Sequence, residues 1–130
     1  MDQKRFARSG ALRAISAAAM AVALFVVFLV APREAVMGDL QRIFYFHVAH
    51  AWVGYLALLV GLIGSLLFLL QKKLRLDRLG LCAVEIGLVF MTGAIITGSI
   101  WAKASWGVWW TWEPRLTTSA VLWAIYASYL

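Results

Sequence analysis

The chain has 130 residues, of which 64% are hydrophobic and only 14% charged, against roughly 45–50% apolar and about 25% charged in an average soluble domain. A soluble domain of this size cannot hide so much apolar side chain from water, so the bilayer is its solvent, and 7 Trp, 7 Phe and 4 Tyr exclude a disordered chain. The formal charge of +6 does not point to nucleic acid: the basic residues gather in an amino-terminal tail and one short loop, spaced like the anchors of a multispanning membrane protein, and not along one water-facing stripe.

Four apolar runs follow one another. The first, residues 14–31, carries no charge over 18 residues, enough at about 1.5 Å per residue to cross most of a roughly 30 Å hydrocarbon core. It is longer than the 7–15 residues or so of a signal-peptide core and ends in Leu29-Val30-Ala31-Pro32-Arg33, which favours an uncleaved span. The second, residues 43–70, exceeds what one crossing needs; its surplus is the interfacial segment from Ile43 to Trp52, rich in aromatic rings and holding His47 and His50. The third covers residues 79–102 and contains one acid, Glu85. The fourth, residues 117–130, is too short at about 21 Å for a full crossing.

These runs predict an all-α, polytopic transmembrane bundle of three full spans and the start of a fourth. The expectation for residues 1–130 is an incomplete amino-terminal part of a membrane domain of six or more helices. Lys4, Arg5, Arg8 and Arg13 in the tail, with Lys72, Lys73, Arg75 and Arg78 in the 71–78 loop, put eight basic residues on one side, against Arg33, Arg42, Lys103 and Arg115 on the other. That bias predicts a cytoplasmic amino terminus. Gly54, Gly61, Gly64, Gly87, Gly93 and Gly98 offer small surfaces for close helix contact. Glu85, costly inside a membrane, is expected to be either neutral or paired with Arg78 two turns earlier, with the pairing slightly favoured. The single Cys82 cannot form an internal disulfide or a CxxC pair. No acid–base pair or nucleophile motif points to hydrolytic chemistry.

The unusual chemistry converges on the extracytoplasmic side. Trp106, Trp109, Trp110 and Trp112 fall within seven residues, followed by Glu113, Pro114 and Arg115. An aromatic belt needs only one or two rings per helix end; this density, with Gly107 and Pro114 breaking regular structure, predicts a flat indole platform for a large planar apolar ligand. A ligand with acidic groups would find Arg115, Lys103 or Arg42 nearby. Haem, with an apolar macrocycle, two propionates and an iron that accepts axial histidine, has both properties. His47 and His50 lie three residues apart on one helix face, a spacing that also suits a shared divalent metal. Two residues on one helix cannot easily reach opposite faces of one porphyrin, so at most one of them should ligate it. A membrane structural or assembly subunit, and a quinone- or metal-binding electron-transfer subunit using both histidines, are the alternatives.

The segment from Trp106 to Thr117 resembles the tryptophan-rich signature of the haem-handling proteins of cytochrome c biogenesis, and the segment from Arg42 to Trp52 is similar to the histidine-bearing segment of their haem exporter protein C (CcmC) branch. The resemblance implies noncovalent, transient binding of haem b at the outer membrane face, with His47 matching an axial iron ligand and Trp106, Trp109, Trp110 and Trp112 matching the platform; His50 remains an alternative ligand. It further implies haem delivery to a periplasmic haem chaperone in association with ATP-binding transporter subunits, or, in a related branch, to apocytochrome c. Membrane lipid surrounds such a protein and nucleic acid is not a partner. This chain has Glu113 where the signature usually has Asp, and Ala49 where the family often has Pro. The family's second ligand histidine falls in a later external loop, beyond residue 130.

Overall fold

The computed structural model describes residues 3–130, with side chains from residue 10 onward. The tail anchors Lys4, Arg5 and Arg8 lie outside the residues whose side chains are described, and Asp2 outside the described residues altogether. All four regular elements are helical: α1, Gln3–Phe25, running into a π-helical turn over Val26–Val30; α2, Gln41–Gln71; α3, Leu74–Trp106; and α4, Pro114–Tyr129. Three stretches, Gly10–Val30, Gln41–Gln71 and Leu74–Trp106, are long and apolar enough to cross a membrane.

The chain divides into two compact units, Met1–Val36 and Met37–Leu130. In the first, α1 ends where the Ala31 amide donates to the Val26 carbonyl at 2.7 Å, an i to i−5 bond. Ala31 then turns extended (φ −61°, ψ 125°), as the residue before a proline is forced to do by the Pro32 ring.

In the second unit α2 and α3 form a hairpin. Their link is only Lys72 and Lys73, where the sequence predicts a loop over 71–78; Arg75 and Arg78 lie in the first turns of α3. Lys72 adopts the left-handed conformation (φ 55°) and its amide closes α2 on the Phe68 carbonyl at 2.7 Å. That conformation costs a non-glycine residue about 1–2 kcal/mol, and it reverses the chain in the fewest residues. At the far end, Lys103–Trp106, beyond the expected run of 79–102, continues α3 until Gly107 (φ 77°) caps it by donating to the Lys103 carbonyl at 3.1 Å. Both differences have one cause. Charged residues mark where a helix leaves the hydrocarbon, not where it stops being helical, and α3, at about 50 Å by its 1.5 Å rise, outruns a roughly 30 Å core.

The α2–α3 seam is lined by small residues. Gly54, Leu58, Gly61 and Gly64 are buried on α2, and Gly80, Ala83, Val84, Gly87, Leu88, Met91, Ala94 and Ala102 on α3. The α3 positions 80, 84, 87, 91, 94 alternate steps of four and three, which keeps one stripe facing its partner over many turns. The interlock is mutual: Val84 fills the space a side chain at Gly61 would need, and Leu58 that of Gly87. At Gly64 a Cβ would lie 3.0 Å from the Gly80 Cα, so the backbones themselves are in contact there. Such small-residue approach is how helices gain packing energy where lipid is as apolar as the side chains.

α4 starts at Pro114, which is suited to the first helical turn because its missing N–H would be unpaired there anyway. Pro114 therefore begins regular structure rather than only breaking it. Leu122, Trp123, Tyr126 and Ala127 of α4 pack on the core formed by Leu58, Val84, Leu88 and Met91. The Trp123 indole donates to Thr92 Oγ1 at 2.8 Å, and the Thr92 hydroxyl donates onward to the Leu88 carbonyl at 2.8 Å. Glu85 differs from expectation: it is exposed on the outer side of α3, and among the described residues no ion pair joins it to Arg78. Cys82, also exposed, is a free thiol.

Candidate functional site

At the end of the second unit remote from the Lys72–Lys73 link, the elements surround a cavity of about 300 Å³. The first half of α2 contributes Phe44, His47, Ala51 and Tyr55; α3 contributes Met91, Ala94, Ile95, Gly98, Ser99, Trp101, Ala102 and Trp106. Trp109 and Trp110 of the connecting loop and Arg115, Leu116 and Ser119 of α4 complete the wall. The lining is apolar and aromatic with a few convergent polar groups, the composition of a small-molecule site.

His47 is held across the helix seam. Its Nδ1 lies 2.9 Å from the Ala94 carbonyl oxygen of α3. Its ring rests on Gly98, where a Cβ would come within 2.8 Å of Cε1 and 3.1 Å of Nδ1. His50, one turn on, points elsewhere. Its Nδ1 donates to the Phe46 carbonyl of its own helix at 2.7 Å. Its ring lies over Gly93 and against Phe90, with centroids 5.5 Å apart, and it is not part of the cavity wall. The two histidines share a helix side but not a site, and among the described residues no group of three or more His, Cys, Asp or Glu gathers as a metal would require.

Of the four signature tryptophans, Trp106, Trp109 and Trp110 line the cavity, whereas Trp112 is 80% exposed and lies outside it. The rings do not form the flat platform that the sequence suggests. Trp101 meets Trp106 at 5.2 Å and 81°, and Trp110 meets Trp112 at 5.9 Å and 75°, the edge-to-face arrangement that the indole quadrupole favours over coplanar rings. The result is a corner of upright indoles. Phe44 extends it from α2, 6.3 Å from Trp101. The indole nitrogens of Trp101 and Trp110 are shielded and, among the described residues, have no acceptor, a cost of about 1–3 kcal/mol per buried donor that a bound acceptor would relieve.

Two cations border this corner. The Arg115 guanidinium lies 5.7 Å from the Trp106 ring centre, and its Nε donates to Glu113 Oε1 at 2.9 Å. Glu113 thus steadies Arg115 and is itself not on the wall. Lys103 donates from Nζ to the Gly107 carbonyl at 2.8 Å and lies 6.0 Å from the Trp109 ring centre, so it bridges the end of α3 to the loop. Arg42 stands apart from the cavity wall, 3.5 Å from Asp39.

Three further wall residues carry weight beyond the candidates named from the sequence. Trp101 meets Trp106 edge-on in the indole corner. Tyr55 and Ser119 join α2 to α4: the Ser119 hydroxyl donates to the Arg115 carbonyl at 2.9 Å, leaving its oxygen to accept from the Tyr55 hydroxyl at 3.0 Å. Tyr55 was detectable in principle, because it falls eight residues after His47 and so two turns along the same face.

Residues 2–130 match the family described as Cytochrome C assembly protein. The chain is 37% identical over 106 residues to a "Putative cytochrome c biosynthesis ccmC-like mitochondrial protein" of Marchantia polymorpha, covering 82% of this chain and 46% of that protein. It is 32% identical over 103 residues to "Heme exporter protein C" of Rhodobacter capsulatus, covering 79% and 43% respectively. A 56-residue stretch is 41% identical to "Cytochrome c biogenesis protein CcsA" of a Synechococcus strain, covering 43% of this chain and 18% of that one. The chain spans less than half the length of the first two of these relatives. With its helices, its tryptophan loop and a match over almost its whole length, this chain belongs to the cytochrome c assembly protein family.

Proposed function

We propose that this chain takes part in c-type cytochrome biogenesis by receiving haem noncovalently at the indole-lined cavity and releasing it to an acceptor. The observation that carries the proposal is His47: an imidazole on the wall of an aromatic cavity, with one ring nitrogen already engaged by the Ala94 carbonyl. Haem supplies an iron that takes an axial nitrogen, a broad apolar ring and two acidic propionates. The wall matches these in kind. His47 offers the second ring nitrogen to the iron; Trp106, Trp109, Trp110 and Trp101 offer apolar edges and faces to the ring; Arg115 offers a cation to a propionate. At about 300 Å³ the cavity is at the small end of ligand sites, which suits gripping one edge of the macrocycle while the rest stays open for transfer.

Trp112 and Arg42, both off the wall, would act at the rim, Trp112 as an exposed ring and Arg42 as a second propionate partner after swinging from Asp39. Glu113 works through Arg115. His50 is the weaker candidate ligand because it is absent from the wall, so the second axial position would be filled by a group from another segment or another chain. The names of the relatives support haem as cargo; a haem chaperone, ATP-binding transporter subunits and apocytochrome c are the acceptors and partners we propose. The positive-inside bias supports a cytoplasmic amino terminus, and the proposed site would lie on the outer side of an inner membrane.

Titration of the purified chain with haem, followed by absorption, tests the proposal. Wild type is expected to give a Soret band that His47→Ala abolishes or shifts and His50→Ala retains. Absence of the band in wild type would leave a structural or assembly role. An unchanged spectrum in His47→Ala would remove His47 as the ligand.

A further inference from the structure

We propose that the α3 backbone at Ala94 and Gly98 is a positioning seat that fixes the neutral His47 ring in its Nδ1–H form, leaving Nε2 as the one electron-pair donor it presents to the cavity. This rests on the haem-binding proposal only in what the Nε2 lone pair is for.

The proton assignment follows from the partner. A carbonyl oxygen can only accept, so the 2.9 Å contact between His47 Nδ1 and the Ala94 oxygen requires the proton on Nδ1. In a neutral imidazole the other nitrogen then bears the lone pair. A histidine that ligates a metal commonly donates its second ring N–H to a carbonyl or carboxylate, which sets both the tautomer and the ring orientation. His47 has that outer contact built in before any ligand arrives.

The seat is also steric. The ring can come close enough to reach the Ala94 oxygen because residue 98 has no side chain: a Cβ there would lie 2.8 Å from Cε1 and 3.1 Å from Nδ1. Any larger residue would push the imidazole off the carbonyl. The nearby Thr97 hydroxyl donates mainly to the Gly93 carbonyl, at 2.7 Å, and more distantly to Ala94, at 3.3 Å, which leaves the Ala94 oxygen available to His47.

His50 is the internal control. It too sits over a glycine, Gly93, and it too has Nδ1 on a carbonyl, but that carbonyl belongs to Phe46 on its own helix. Its tautomer is therefore set within α2, whereas that of His47 depends on how α3 lies against α2. Only at His47 does the spacing of two membrane helices determine which nitrogen is available.

The test is nitrogen-15 NMR of the ligand-free chain labelled at histidine and held in lipid nanodiscs, followed by titration with ferric haem. Wild-type His47 is expected to show a protonated Nδ1 and a bare Nε2. Gly98→Ala is expected to mix the His47 tautomers and weaken haem binding by about 10-fold or more, the scale for loss of an outer-shell partner. Gly93→Ala, a steric insult at least as severe but aimed at His50, is expected to move the His50 signals alone and leave haem affinity at the wild-type level. A proton on Nε2 of wild-type His47 would overturn the proposal, as would a Gly98→Ala protein with the wild-type tautomer and affinity, or a Gly93→Ala protein as weakened as Gly98→Ala. If neither glycine variant folds, the wild-type spectrum decides alone. If His47→Ala binds haem as tightly as wild type, the haem-ligand role fails, while the tautomer measurement still judges the seat separately.

Discussion

Toward the Lys72–Lys73 link, glycine lets backbone meet backbone; toward the tryptophan loop, it lets an aromatic ring meet backbone. Gly64 and Gly80 close the helices directly on each other, with Gly61 and Gly87 receiving Val84 and Leu58 a little farther along. At the other end Gly93 and Gly98 receive His50 and His47. One helix pair thus uses one residue type in two ways. The link end is filled by aliphatic groups that lose energy if anything is added or removed. The loop end is filled by polarisable rings, several of which border the cavity. A close-packed half adjoins a half that borders a cavity.

Changes at the link end should have the largest effect on stability. Gly64→Val would drive a side chain against the Gly80 Cα, 3.0 Å from the added Cβ, and no backbone can swing aside as a side chain can. Overpacking of this kind costs about 1–3 kcal/mol, and the upper part of that range is expected in thermal unfolding of the detergent-solubilised chain. An unchanged midpoint would mean the two backbones are not in contact. Trp123→Phe probes the boundary between the halves by removing the donor to Thr92 while keeping an aromatic ring. A loss of about 1 kcal/mol is expected, and it should be absent in a Thr92→Val background, where the acceptor is already missing. At the loop end, Tyr55→Phe deletes the hydroxyl that ties α2 to Ser119. Stability should fall by only about 0.5–1 kcal/mol, with the larger change read as faster hydrogen exchange in the first turns of α4. Glu85→Gln belongs to neither half, because the side chain is exposed on α3. A change within about 0.5 kcal/mol is expected; a large loss would show that a partner covers that face.

Much of this was legible in the sequence because apolar length is a direct consequence of the bilayer. The three spans fall on the three long apolar runs, each of about 18 residues or more with at most one charge, and α2 at Gln41–Gln71 follows the expected 43–70 closely. Helix ends were less legible. Arg75, Arg78 and Lys103 are charged and fall outside the expected apolar run of 79–102, yet each lies within α3. At the site, residue identity was visible and orientation was not. His47 and His50 differ by less than one helical turn, and only the position of α3 puts one on the cavity wall and the other on Phe90. The same holds for the tryptophans: a sequence shows how many rings are available, but the upright geometry that brings in Trp101 and leaves Trp112 outside depends on where Gly107 turns the chain. Glu85 shows the limit of pair prediction, since seven-residue spacing permits an ion pair with Arg78 without producing one.

The two-residue link between α2 and α3 also bears on the order of assembly. Contacts beside it, such as Gly64 with Gly80, join residues close in sequence, whereas His47 and Ala94 are 47 residues apart. Loop closure costs more entropy as the enclosed segment lengthens, and contacts near in sequence form fastest. Zippering of the hairpin from Lys72 outward is therefore the favoured route, with the imidazole seated last. On that route the link end of the hairpin pairs before His47 reaches the Ala94 carbonyl, so, if the proposed function holds, haem competence would report completion of the fold rather than its onset.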